Sequence, residues 1–79
     1  MERNVVGHRV RLARKRARPP VTQADLVARL QLLGLKVDQA TISKIEHGRR
    51  PVLDTELVAL SRALKVSAAW LLGEGETRG

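Results

Sequence analysis

Residues 37–50 read VDQATISKIEHGRR, and as a helix they have two very different faces. On an α-helix that turns about 100° per residue, Ile42, Ile45 and Glu46 share one face. The opposite face carries a small side chain, hydrogen-bonding groups and a cation: Ala40, Ser43, Lys44 and His47. Gln39 lies in the first turn and can project beyond the helix end. A helix that only packed against a core would not need this mixed second face, whose groups suit the reading of base edges in a major groove.

The composition indicates one small domain that contains no disulfide. The chain has 79 residues, 43% of them hydrophobic, and no cysteine. Disulfides and Cys-ligated metal sites are therefore excluded, which is typical of a reducing compartment. No apolar run approaches the ~18 residues that a membrane helix needs, and no secretory signal precedes the domain. These features predict a soluble, intracellular protein.

The net charge of +7 is unevenly distributed along the chain. Residues 1–20 carry seven Lys or Arg against one acid, residues 21–50 five against three, and residues 51–79 three against four. A basic end and a near-neutral end predict an oriented contact with a polyanion. Charge alone leaves DNA, RNA and an anionic membrane open. RNA is disfavoured because single-strand recognition stacks bases on aromatic rings, and Trp70 is the one aromatic residue.

Apolar spacing predicts five short helices and no sheet. The helices are expected over residues 5–17, 22–33, 39–47, 54–64 and 67–72, within one domain of residues 1–72. Pro19-Pro20 ends the first helix, and Gly34 and Gly48 end the second and third. Three polar residues are predicted N-caps: Thr22, Asp38 and Ser67. Residues 73–79 are predicted to be a disordered tail.

The same spacing predicts which apolar side chains are buried. They are Val6, Val10, Ala13 and Ala17 in the first helix, Leu26, Leu30 and Leu33 in the second, Ile42 and Ile45 in the third, and Leu57, Leu60 and Leu64 in the fourth. Trp70 is predicted to pack in the core or in a dimer. The apolar stripe of the first helix is narrow and contains two alanines, which disfavours binding at a membrane surface.

Several motifs together resemble one known family. They are V-G-H-R-V-R at 6–11, T-Q-A-D-L at 22–26, A-T-I-S-K-I-E-H-G at 40–48, R-R-P at 49–51, L-V-A-L-S-R-A-L at 57–64 and W-L-L at 70–72. The chain resembles the Cro/C1-repressor type of helix-turn-helix, also called the xenobiotic-response-element (XRE) family. The resemblance covers about residues 6–72 and implies an all-α, five-helix, lambda-repressor-like DNA-binding domain whose third helix enters the major groove.

The resemblance also implies roles for individual residues. The family's base-contacting positions are matched by Gln39, Ala40, Ser43 and Lys44. Its phosphate-contacting positions are matched by Thr22, Gln23, His47, Arg49 and Arg50. Arg14 and Glu46 match a buried ion pair that ties the first helix to the third. Such a pair fixes geometry more than it stabilises, because desolvation offsets most of its attraction.

The chain departs from the family pattern in two connections and one cap. The segment from Leu30 to Ile42 is about five residues longer, Q-L-L-G-L, which predicts an added turn on the second helix. The loop that contains Pro19-Pro20 is about two residues longer. Asp38 stands where the family often has Ser or Thr. Near DNA its carboxylate can accept a hydrogen bond from cytosine N4 or repel phosphate, and both interpretations stay open.

These observations favour sequence-specific binding of double-stranded DNA by a cytoplasmic transcriptional regulator of bacterial or phage type, in particular a repressor. Because one small module reads few base pairs, we expect a homodimer on two half-sites roughly 34 Å apart. The dimer surface is predicted within residues 60–72, where charge is lowest. The alternative is a protein-interaction module, such as the antitoxin of a toxin–antitoxin pair, in which DNA binding is secondary. An exposed apolar patch away from the groove-facing side would favour that alternative.

Catalysis and metal binding lack the necessary residues. The chain has serines and two histidines but no nucleophile elbow, phosphate loop or paired-carboxylate arrangement. His8 and His47 are too far apart, and too little supported by other ligands, to form a metal site. We therefore expect no enzymatic activity, no cofactor and no metal.

Overall fold

Five α-helices and no strand form over residues 5–75, the part of the chain that the computed structural model describes. They are α1 (Val5–Arg16), α2 (Gln23–Leu32), α3 (Gln39–Glu46), α4 (Asp54–Leu64) and α5 (Ala68–Leu71). Each helix begins and ends within about one residue of its predicted bounds. The all-α, five-helix fold class is therefore confirmed.

Polar side chains begin three of the helices, as the sequence predicts. Thr22 Oγ1 accepts the Asp25 N–H at 3.0 Å, and Asp25 Oδ2 accepts the Thr22 N–H at 3.1 Å, which completes a capping box. Asp38 Oδ1 accepts both the N–H and the hydroxyl of Thr41 at 2.8 Å. Ser67 Oγ accepts a backbone N–H at the start of α5. These bonds satisfy donors that have no acceptor within the helix itself.

Every helix contributes to the hydrophobic core. The fully buried side chains of largest volume include Val10, Leu26, Leu30, Ile42, Ile45, Leu60 and Leu71. α1 packs against α3, α4 and α5, while α2 packs against α3 and α4. Burial of each such Leu or Ile stabilises the fold by about 1.5–3 kcal/mol relative to exposure. Four of the predicted core residues are only half-buried at its edge: Val6, Ala17, Leu57 and Leu64.

The chain reverses direction at the end of α2, and this changes which leucine enters the core. Leu33 is 48% exposed, so its predicted burial is wrong. Gly34 adopts a φ of +90°, and the N–H groups of Gly34 and Leu35 donate to the carbonyls of Gln31 and Leu30 at 3.0 Å. This is the Schellman arrangement, which favours glycine at the left-handed position. Leu35 packs against the core in place of Leu33.

The sequence predicts that the longer connection, residues 31–35, adds a turn to α2. The structure shows no complete added turn. Only Gln31 and Leu32 are helical, and residues 33–35 form the reversal. The chain then continues without helical structure to Asp38, the cap of α3. Gln31 Nε2 donates to the Val37 carbonyl at 3.1 Å, which braces this connector against α2.

The segment after α5 contacts α1 through one arginine. Arg9 Nη1 donates to the carbonyls of Trp70 at 2.6 Å and Glu74 at 2.8 Å. The Arg9 guanidinium also lies 4.9 Å from the centroid of the Trp70 ring, within the range of a cation–π contact. Residues 73–75 of the predicted tail thus have a defined path, and residues 76–79 lie outside the described part of the chain.

Candidate nucleic-acid interface

The two sides of α3 differ in burial as the sequence predicts. Ile42 and Ile45 are at most 2% exposed, and Glu46 is also buried. The four residues predicted to contact bases all lie outside the core, three of them exposed and one half-buried: Gln39, Ala40, Lys44 and Ser43. One side of an eight-residue helix therefore presents two amide or hydroxyl groups, a methyl and a cation to solvent.

A buried ion pair holds α3 to α1. Arg14 Nε donates to Glu46 Oε2 at 2.7 Å, and Arg14 Nη2 donates to Glu46 Oε1 at 2.9 Å. Arg14 Nη1 also donates to the Val21 carbonyl at 3.0 Å, just before α2 begins. The planar guanidinium suits this two-point contact with a carboxylate. One side chain therefore fixes α3 and the start of α2 relative to α1.

Two glutamines extend this buried pair to the surface of α3. Gln23 Nε2 donates to Glu46 Oε1 at 3.2 Å, and Gln23 Oε1 accepts from Gln39 Nε2 at 3.3 Å. Because a carboxylate only accepts hydrogen bonds, the NH₂ of Gln23 must face Glu46, and its oxygen must face Gln39. The Gln39 amide is thereby oriented, with its own oxygen and one N–H left for another partner. Sequence reasoning gave both glutamines a role but did not connect them.

His47 follows α3, and its ring is oriented by the helix. Its Nδ1 lies 2.8 Å from the Ser43 carbonyl oxygen. A carbonyl can only accept, so Nδ1 carries a proton and donates it to this bond. The exposed ring is thereby held beside the last turn of α3.

The two arginines after α3 have different environments. Arg50, predicted to contact phosphate, donates from Nη1 to Glu56 Oε1 at 2.8 Å and from Nη2 to Glu56 Oε2 at 2.6 Å. Glu56 Oε1 also accepts the Leu53 N–H at 2.9 Å, at the start of α4. The bond from Arg50 holds the pKa of the Glu56 carboxyl below its usual range. Arg49, by contrast, is exposed.

The Arg50–Glu56 pair was not predicted from the sequence. An arginine, a proline and then an acid in the first turn of the next helix is the only local signal for it. Thr22 and Gln23, also predicted at phosphate, lie at the first turn of α2, where N–H groups point outward. The described residues thus bring the predicted phosphate set to both ends of the α2–α3 unit.

A metal cluster and a membrane-spanning helix each require a feature that the described part of the chain lacks. No group of three or more His, Asp or Glu side chains is close enough to hold a metal ion there. None of the helices over residues 5–75 has both the length and the apolar content needed to cross a membrane.

Comparison with protein families identifies the α2–α3 unit. Residues 21–71, more than half of the chain, match the family model described as helix-turn-helix. The chain belongs to the Cro/C1-type helix-turn-helix family. No curated protein and no solved structure matches the chain. Because this family consists of DNA-binding domains of transcription regulators, the general function of the chain is DNA binding in transcription regulation.

In this helix-turn-helix protein the turn is the connector between α2 and α3, and α1 precedes the matched residues. Asp38 ends the connector, and its Oδ1 accepts both bonds from Thr41. These two hydrogen bonds lower the pKa of the Asp38 carboxyl, and the bond from the Thr41 backbone N–H contributes most. The negative charge of Asp38 is therefore retained near α3. The other oxygen, Oδ2, remains as the atom that could accept a hydrogen bond from cytosine N4 or repel a phosphate.

Proposed function

We propose that the protein is a sequence-specific double-stranded DNA-binding repressor whose α3 enters the major groove. The single observation that carries this proposal is the hydrogen-bonded chain from Glu46 through Gln23 to Gln39. It connects an exposed glutamine of α3 to a buried ion pair, so the glutamine amide is oriented before any ligand arrives. A glutamine amide can bond the N6 and N7 edge of adenine through two hydrogen bonds.

The neighbouring groups of α3 extend the same surface. Lys44 is exposed and can donate to guanine O6 or N7, while Ser43 can donate or accept. Ala40 offers a methyl group and close approach, suited to the methyl of thymine. We assign base contacts to these three residues together with Gln39.

Phosphate contacts position the helix in this proposal. Thr22 and Gln23 lie at the positive end of α2, and His47 and Arg49 lie beyond the C-terminal end of α3. Arg50 is bound to Glu56, so its first role is to shape this loop. Its N–H groups that are not hydrogen-bonded there are left to contact a phosphate. Half or more of the contacts are expected to be to phosphate, which makes affinity fall steeply with salt.

The protein acts as a homodimer on a two-fold symmetric operator in this proposal. Two copies of α3 must then lie roughly 34 Å apart. Within the predicted dimer surface, residues 60–72, Leu60 and Leu71 are at most 1% exposed and already belong to the monomer core. Leu72 is 56% exposed and Trp70 is half-buried, so these two side chains carry the proposed dimer contact.

Selection from a random duplex library at two salt concentrations tests the proposal. The wild type is compared with the Gln39→Ala, Lys44→Ala variant, and with Gln31→Ala, Lys36→Ala as a control that alters the connector instead. We expect the wild type and the control to enrich a two-fold symmetric motif that the α3 variant does not enrich. Salt-sensitive binding without any motif, unchanged by the α3 substitutions, would contradict the proposal.

An apolar surface supports a second candidate function, a protein-interaction module such as an antitoxin. Leu33 and Val58 are 48% and 46% exposed and line one shallow cleft between the end of α2 and α4. Leu32, which precedes Leu33 in the chain, is 88% exposed. If a protein contact is primary, a Leu32→Ser, Val58→Ser variant will lose function in cells while its DNA motif stays unchanged. Loss of function through the α3 variant alone would exclude this candidate.

A further inference from the structure

The outward side of α1 concentrates positive charge without a compensating acid. Helix α1 contains four arginines, one lysine and no Asp or Glu. Arg14 is buried in its pair with Glu46, and Arg9 is engaged with the segment after α5. The remaining cations include Arg11 and Lys15, which are exposed and form no ion pair within residues 5–75.

Arg18 adds a third exposed cation just after the helix. Its Nη1 donates to the Lys15 carbonyl at 3.5 Å and to the Ala17 carbonyl at 3.4 Å, so the guanidinium stays beside the last turn of α1. We call Arg11, Lys15 and Arg18 together the α1 stripe. Neither carbonyl neutralises the charge of Arg18, so the stripe presents three positive groups to solvent.

The position of Arg14 shows which flank of α1 carries the stripe. Arg14 points to Glu46 of α3 and to the backbone just before α2. Around the axis of α1, Arg11 lies about 60° and Lys15 about 100° from Arg14, both on the side of Arg14 away from Arg9. Arg9, which contacts α5, marks the other flank. The α1 stripe therefore lies on the flank of α1 toward α3, and its last member, Arg18, belongs to the loop that leads to Thr22.

We propose that the α1 stripe is a second phosphate-binding surface, which takes the backbone of duplex DNA flanking the site that α3 reads. Arg11 and Lys15 are separated by about 6 Å along the helix axis. Successive phosphates of one strand rise about 3.4 Å each, so the two cations span about two phosphates. The stripe lies outside residues 21–71, which match the family model. This inference rests on the proposed DNA binding and extends its footprint.

Duplex length and salt dependence test the inference with the full chain. The variant is Arg11→Gln, Lys15→Gln, and the control is Arg29→Gln, Lys36→Gln, which removes the same charge from exposed positions in α2 and the connector. Each protein is titrated with a short duplex that holds only the selected motif. It is also titrated with a long duplex that adds roughly one helical turn, about 10 base pairs, on each side.

We expect the wild type to bind the long duplex more tightly than the short one, and the Arg11, Lys15 variant to lose this preference. On the long duplex, the slope of log affinity against log salt should decrease in magnitude by about 2, since each phosphate contact contributes about 0.9. The control should keep both the preference and the slope. The variant and the control should bind the short duplex with similar affinity. Both should differ from the wild type only by the same effect of two lost positive charges.

Two results would overturn the inference. One is an equal loss of slope in the variant and the control, which would mean that only net charge matters. The other is an unchanged slope and preference in the variant, which would leave the α1 stripe solvated. Failure of the wild type to select any motif would instead defeat the proposed function, and the two failures are therefore distinguishable. Urea unfolding of each variant verifies that the fold is retained.

Discussion

Two arginine–glutamate pairs hold α3 and the loop that follows it, and they differ in burial. In the Arg14–Glu46 pair the side chains are 10% and 2% exposed, and in the Arg50–Glu56 pair they are 32% and 8% exposed. Both are short, two-point contacts. In the first pair both side chains are enclosed, so water cannot readily replace either partner. In the second, water can replace the carboxylate around Arg50. The same chemistry thus orients a helix in one place and directs a loop in the other.

The largest expected effect comes from removing one partner of the buried pair. Glu46→Leu leaves the Arg14 guanidinium enclosed without its carboxylate, and we expect the free energy of unfolding to fall by about 3–5 kcal/mol. Urea unfolding measures it. The double variant Arg14→Met, Glu46→Leu removes both charges and should be less destabilised than Glu46→Leu alone, because no unpaired charge remains. A double variant that is worse than the single one would contradict this account of the pair.

A smaller effect is expected at the more exposed pair. Glu56→Gln keeps the size of the side chain but removes the charge that binds Arg50 and weakens the acceptor for the Leu53 N–H. We expect a loss of about 1–2 kcal/mol in the same urea experiment, because Arg50 can turn to water. A loss as large as that of Glu46→Leu would show that the two pairs are equally enclosed, against the comparison made above.

Acid should remove the contribution of the Glu56 carboxylate to the free energy of unfolding. Its pKa is lowered, first by the bond from Arg50, so the folded state favours the charged carboxylate. The stabilisation is fully present above the ordinary carboxyl pKa of about 4.3 and is lost as pH falls through the lower folded value. We therefore expect the unfolding free energies of wild type and Glu56→Gln to differ at pH 7 and to converge below about pH 4. A difference that is constant from pH 7 to pH 3 would exclude this linkage.

Local signals account for the parts of the fold that the sequence predicted well. Thr22, Asp38 and Ser67 begin helices through side-chain bonds that span only three residues, so no distant contact is needed to recognise them. The alternation of Ile42 and Ile45 with polar residues likewise defines the two sides of α3. The predicted burial of Leu33 is wrong because it extended the helical periodicity of α2 into the chain reversal. The reversal at Gly34 packs Leu35 against the core instead.

The contacts that organise the candidate site were beyond sequence reasoning when they join distant segments. Gln23 and Gln39 are 16 residues apart and meet only because the connector returns α3 across the start of α2. Arg50 reaches Glu56, six positions later, through the path of the loop between α3 and α4, and nothing in the residue types alone decides that path. The Arg14–Glu46 pair was expected through family resemblance, since its members are 32 positions apart and no local signal joins them.

The smallest expected change in stability concerns the glutamine that extends the buried pair to α3. Gln23→Leu removes two hydrogen bonds of 3.2 and 3.3 Å at a half-buried position, and we expect a loss of about 1 kcal/mol or less. Gln31→Leu is a matched control, because it also removes a hydrogen bond donated by a side-chain amide, here to the Val37 carbonyl. It leaves the contacts of Glu46 and Gln39 unchanged. The two variants should have similar free energies of unfolding in urea.

DNA binding should separate these two variants although stability does not. In Gln23→Leu the Gln39 amide is no longer oriented before binding, and ordering one such side chain opposes binding by about 0.5–1.5 kcal/mol, or a loss of roughly 2- to 10-fold in affinity. If orientation is what Gln23 supplies, discrimination at the base pair that Gln39 reads should fall with it. If Gln23 acts only on phosphate, affinity should fall equally for every sequence and discrimination should be unchanged. Titration with the selected site and its single-base variants distinguishes the two roles, and Gln31→Leu should alter neither quantity.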